Sequence, residues 1–106
     1  PELFKPEERR HACAEETSLN LALHSHIVDM SKAVDETPRE SMLQSEGVTL
    51  PLDTIDYTAS GVFGKSTTAS AEKGKIVLEV VIGELVKHVN MLKESKIEDL
   101  VQKPKV

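Results

Sequence analysis

The sequence predicts the mainly helical part of a layered α/β fold, an αβα arrangement to which this chain adds few short strands. Three observations carry that expectation. A helical apolar period runs through residues 15–28 and, more strongly, through 68–93. The extended candidates between them, Val48–Leu50 and Thr54–Thr58, are too short to build a sheet alone. The apolar faces of the helical stretches are also too broad to stand in water, so a sheet made by residues outside this chain is expected to cover them.

The elements follow in order. Residues 1–10 carry Pro1 and Pro6 among polar side chains and read as a loop or linker. From Glu15 to about Val28, Leu19, Ala22, Leu23 and Ile27 fall on one helical face, and Thr17 or Ser18 is placed to cap the start. Glu15 and Glu16 lie where the helix dipole favours negative charge. Pro38, Gly47, Pro51, Gly61 and Gly64 then punctuate a mixed region, with a short helix expected within Ser31–Leu43. The second main helix is read from about Thr68 to Lys93. Leu78, Val81, Ile82, Leu85, Val89 and Leu92 form its stripe, and Ile76, Val77 and Val80 widen it. Its β-branched content argues for a strand, but length and period decide for helix. Residues 95–106 are polar, end in Lys-Pro-Lys-Val, and read as a flexible tail.

Composition bounds the function. A chain of 106 residues makes one domain and buries a small core, which must be aliphatic because the aromatics are only Phe4, Tyr57 and Phe63. A net charge of −5 without a Lys/Arg run argues against a nucleic-acid partner. No stretch is apolar enough for a membrane helix, and the first residues lack the apolar core of a signal peptide. The single cysteine, Cys13, cannot form an internal disulfide, which fits a reducing cytoplasmic location.

The chemistry-bearing run is His11-Ala12-Cys13-Ala14-Glu15-Glu16-Thr17-Ser18. It places an imidazole just before a helix and carboxylates at the helix start. Such a histidine can move protons near neutral pH, and a nearby carboxylate can fix its tautomer. The bland alternative is a surface histidine beside helix-capping acids. Cys13 lies two residues from His11 but lacks an orienting third group, so a small, half-buried residue is the better reading than a nucleophile.

This run, followed by Leu-x-Leu-Ala-Leu, resembles a motif of the creatininase family. A second stretch agrees: Ser60-Gly61-Val62-Phe63-Gly64, then Ala69-Ser70-Ala71-Glu72-Lys73-Gly74. Together they span most of residues 11–93. The resemblance implies the C-terminal half of such an enzyme, residues 1–106 forming one part of its domain. It implies hydrolysis of a cyclic or linear amide C–N bond, with His11 as general acid/base and Glu16 orienting the substrate or that histidine. It also implies a divalent metal, zinc or manganese, bound mainly by residues outside this chain. The partners implied are the N-terminal half of the same enzyme, a small-molecule amide substrate and further copies in a homo-oligomer. Arg9, Arg10, Lys65 and Ser66 depart from the family pattern, and no Trp is present for an aromatic lid, so a deformylase or keto-inositol-type ring hydrolase stands beside creatinine hydrolysis.

Three further features have competing readings. Ala59–Ser66 fits a relaxed phosphate-loop pattern, but Ala59 replaces the first Gly and the preceding segment is only half apolar. A Gly-rich turn entering a helix is the alternative. His24 and His26 are read on a helix, where their rings diverge by about 200°, which disfavours a metal pair. His88 lies beside the long stripe and reads as packing. A non-enzymatic helical module that binds through the long apolar helix is the competing function.

Overall fold

In the computed structural model, residues 2–39, 47 and 51–101 are described. Two helices dominate: α1 (Ala14–His24) and α3 (Ala71–Glu94). The short α2 (Thr54–Tyr57) and α4 (Ile97–Leu100) flank α3 in sequence, and a two-residue antiparallel ladder joins β1 (Asp35–Glu36) to β2 (Gly64–Lys65). Its register pairs Asp35 with Lys65 and Glu36 with Gly64. No helix among the described residues is long and apolar enough to cross a membrane.

The crossing of α1 and α3 is made by Gly74. A Cβ there would stand 1.9 Å from the Ser18 carbonyl oxygen and 2.9 Å from the Ala22 Cβ. Glycine inside a helix costs about 1 kcal/mol relative to alanine, and here it lets two backbones touch. Ser18 completes the clasp. It is fully buried, and its Oγ accepts from the Ser70 amide at 3.0 Å. Ser70 in turn caps α3, its Oγ accepting from the Lys73 amide at 3.3 Å. The expected cap at Thr17 or Ser18 is therefore displaced: α1 begins after Cys13, whose carbonyl accepts from the Thr17 amide. Ser18 turns inward because a hydroxyl there satisfies a donor at the crossing.

Of residues 1–10, expected as loop or linker, those described form a loop with one 3-10 turn at Pro6–Glu8, which packs against the start of α3. Phe4 is buried with the Lys73 ammonium 5.2 Å from its ring centre. Glu8 is buried too. Its carboxylate accepts from the Thr68 hydroxyl and from the Lys5 amide at 2.7 Å, and faces Lys73 at 3.7 Å. The Thr68 hydroxyl first, and then the Lys5 amide, hold this carboxyl below its usual range.

Other elements depart from the sequence expectation. α1 ends at His24 and passes into a 3-10 turn, Ser25–Ile27, rather than running to Val28. The helix expected within Ser31–Leu43 is absent over its described part. Met30–Lys32 is a 3-10 turn opened by the Asp29 carboxylate accepting from the Ser31 amide, and β1 follows. Thr54–Tyr57, expected as extended, is one helical turn closed by a reciprocal Asp53–Asp56 capping box. A short window of alternating residues cannot outweigh such local side-chain caps. Val48–Leu50 lies outside the described residues. The long helix holds to expectation, shifted to Ala71–Glu94 by its Ser70 cap, and the tail holds the single turn of α4.

Candidate functional site

The site is assembled by three loops. The first carries His11 into α1. Ala12 adopts φ +54°, in the left-handed region, an arrangement that costs about 1–2 kcal/mol for a residue with a Cβ. It is held there from both sides. The Glu16 carboxylate accepts from the Ala12 amide, and the His11 carbonyl accepts from the Phe63 amide at 3.0 Å and from the Cys13 thiol at 3.3 Å. His11 and Glu16 thus lie on one turn of chain, but Glu16 reaches the loop backbone. Both residues are exposed.

The second loop, residues 58–64, brings Phe63 to His11, with Tyr57 at the end of α2 behind it. The Phe63 ring stands 5.6 Å from the imidazole at 83°, and Tyr57 backs Phe63 at 5.7 Å. This loop is clamped by Glu36, whose carboxylate accepts from the Ala59 and Ser60 amides at 2.8 and 2.9 Å and from the Ser60 hydroxyl. The Ser60 hydroxyl and these amides hold the Glu36 carboxyl below its ordinary value. Inside the loop the buried Thr58 hydroxyl accepts from the Gly61 amide at 3.1 Å. Gly64 is required at its close: φ is +140°, and a Cβ would meet the Glu7 carbonyl oxygen at 2.2 Å.

The third loop, 65–70, is fixed by Asp35. Its carboxylate accepts from the Ser66 and Thr67 amides at 2.9 and 3.1 Å and from the Thr67 hydroxyl. Ser66 is buried and donates to the Val34 carbonyl at 2.6 Å. These bonds bear on the phosphate-loop reading. The Ala59, Ser60, Ser66 and Thr67 amides already bind carboxylates, Lys65 faces Glu7 at 3.9 Å, and no helix opens at Lys65 because β2 lies there. A phosphate would have to displace two carboxylates held in place by their own hydrogen bonds. The arrangement is a Gly-rich turn, but it enters β2 and not, as the alternative had it, a helix.

The remaining candidates are placed as follows. Cys13 is fully buried, and that burial raises its thiol pKa, the opposite of what an activated nucleophile needs. The His24 and His26 rings do not diverge. Because α1 ends at His24, they meet edge to face at 6.2 Å on the surface. His88 lies 2.7 Å from its own helix's Glu84 carbonyl. Among the described residues no group of three or more His, Cys, Asp or Glu side chains could hold a metal ion. Among the described residues of this site, Glu16 is occupied by the loop backbone.

Residues 2–89 match the family model for creatininase, described as creatinine amidohydrolase. The chain belongs to the creatininase family. Among curated relatives, creatinine amidohydrolase of Pseudomonas putida is 35% identical over 82 residues, which are 77% of this chain and 30% of that protein. Two solved creatininase structures, one a Trp-to-Phe mutant, superpose with TM-scores of 0.63 at 30% identity, covering 77% and 78% of this chain and 31% of theirs. The chain therefore spans about a third of the length of the creatininases it matches, and its fold is the mainly helical part of their α/β fold.

Sequence reasoning missed Tyr57, Phe63 and Glu36 as parts of this site. Phe63 lies inside one of the stretches resembling creatininases, but nothing in its spacing from His11 pairs the two rings.

Proposed function

We propose that this chain is part of a metal-dependent amidohydrolase of the creatininase family and that His11 is its general acid/base. The observation that carries the reading is the His11–Glu16 turn, lying within a family match over residues 2–89. A ring nitrogen of His11 takes the proton of the attacking water and returns it to the leaving nitrogen as the C–N bond breaks. Glu16 orients this histidine through the backbone: its carboxylate closes on the Ala12 amide and keeps the strained peptide in register. The substrate is a small amide, cyclic or linear, and the Pseudomonas putida relative bears the name of creatinine.

The cation, zinc or manganese, would be held by protein outside this chain. The companion polypeptide would also cover α3, whose outer half exposes Val81, Ile82, Leu85, Val86, Val89 and Leu92. The same exposed face is the observation that favours the second reading, a helical interaction module without catalysis.

The test is a chimera in which this chain replaces the matching segment of the Pseudomonas putida enzyme. Amide hydrolysis is expected, and His11→Ala is expected to lower turnover by about 10²–10⁴-fold, the usual contribution of a positioned acid/base, while metal content stays unchanged. A folded, metal-loaded chimera that is inactive, or whose turnover ignores His11→Ala, overturns the reading in favour of the interaction module.

A further inference from the structure

The His11 ring meets Phe63, which reaches it from a distant part of the chain. The contact is edge-to-face in geometry, 5.6 Å between centroids at 83°, within the range in which aromatic pairs attract beyond simple burial. It is reinforced along the backbone, where the Phe63 amide donates to the His11 carbonyl. Phe63 is itself held. Tyr57 lies 5.7 Å behind it, the Thr58 hydroxyl and the Glu36 carboxylate fix the turn before it, and Gly64 closes the chain against Glu7 just after it. The imidazole is otherwise exposed, on a loop whose next residue sits at positive φ. A proton-transfer group in such a place loses its effect if its ring can rotate away from the reacting atoms.

We propose that Phe63, backed by Tyr57, is a positioning residue that sets the orientation of the His11 imidazole. The inference deepens the acid/base role assigned above and rests on it for its catalytic meaning. Glu36 is the anchor of the device: by gripping both amides at the tip of the turn it keeps the Phe63 backbone in register with His11. The requirement at position 63 is a flat ring, not merely an apolar side chain. Leucine fills volume but offers no aromatic face or edge, whereas tyrosine does.

Two readouts test it. The first uses the 106-residue chain and needs no activity: the carbon-bound ring protons of His11 are followed by NMR. An aromatic ring at 5.6 Å displaces them from the position shown by the exposed His88. The displacement is expected to vanish in Phe63→Leu and to persist in Phe63→Tyr, with the His88 resonances and the helical circular dichroism unchanged in both. A displacement that survives Phe63→Leu, or no displacement in the parent chain, overturns the proposal. The second readout is kinetic, in the chimera. Phe63→Leu is expected to lower kcat by about tenfold or more, given the sensitivity of catalysis to misplaced groups, with KM little changed, and Phe63→Tyr restores it. Phe63→Leu with parental kcat overturns a positioning role. Should His11→Ala leave turnover intact, the acid/base reading fails, and the NMR result still decides whether Phe63 orients the ring.

Discussion

The first turns of α3 and its outer half are one continuous helix with opposite surroundings. Around Ser70–Gly74 the chain is locked by polar contacts and backbone approach: Ser18, Glu8 and Ser66 are buried, each with a named partner, and Gly74 admits α1 to van der Waals contact. Beyond Leu78 every helix residue is exposed, including Val81, Ile82, Leu85, Val86, Val89 and Leu92. The difference teaches where specificity resides in this chain. The inner end is determined by its own residues, through hydrogen bonds that only one geometry satisfies. The outer end has the sequence of a buried helix and, among the described residues, nothing to be buried against. Its stripe is a continuous apolar surface, the kind that marks an interaction site.

Substitutions at the two ends should therefore behave in opposite ways. The largest effect is expected at the crossing. Gly74→Ala puts a methyl group 1.9 Å from the Ser18 carbonyl oxygen, and urea unfolding of the chain should show a loss of about 3 kcal/mol, the upper end for an overpacked core site. A neutral result would mean that α1 and α3 do not cross there. Ser18→Ala should cost less, about 1–2 kcal/mol, because it strands the Ser70 amide without relieving any contact.

Acid should loosen the inner end and the two loops that precede it. The Glu8, Asp35 and Glu36 carboxyls are all held below their ordinary values, Glu8 and Glu36 mainly by side-chain hydroxyls and Asp35 mainly by the Thr67 amide. Each folded-state pKa is lower than its unfolded value, so the folded chain binds fewer protons in this range. The stabilisation is full above the ordinary carboxylate range of about 4 and is lost as pH falls through the depressed folded values. The urea midpoint should stay flat from pH 7 to about 5 and decline below that. Glu36→Gln should flatten part of the decline. At the outer end, Leu85→Ser should change the stability of the isolated chain by less than about 0.5 kcal/mol, as for other exposed sites. Under the proposed function, the same change should weaken assembly with the companion polypeptide. A loss in the isolated chain as large as that of Gly74→Ala would erase the distinction between the two ends.

Much of the fold was legible in the residues because helix period and capping are local. The apolar recurrence from Leu78 to Leu92 marked α3, whose start was read at about Thr68, three residues before its actual first residue. What was misread was also local, but short: Thr54–Tyr57 folds on a single capping box, and Ser31 takes part in an Asp29 turn instead of a helix. Four-residue windows hold too little periodicity to distinguish a turn of helix from an extended segment. For the candidate site, the His11 and Glu16 pair was named from its motif. The clamp on the Ala12 amide was not, because it depends on a residue other than glycine adopting positive φ.

By itself, the sequence pointed to the family through the resemblance of two motifs and to the two main helices through their apolar period, since both are written in neighbouring residues. Only the tertiary structure decided that Phe63 faces the His11 ring, that Glu36 and Asp35 occupy the amides of the Gly-rich turn, and that Gly74 is the point of helix contact. Those pairings join residues far apart along the chain. Their partners are chosen by packing and by the need to satisfy buried donors, and neither leaves a periodic mark in the amino-acid order.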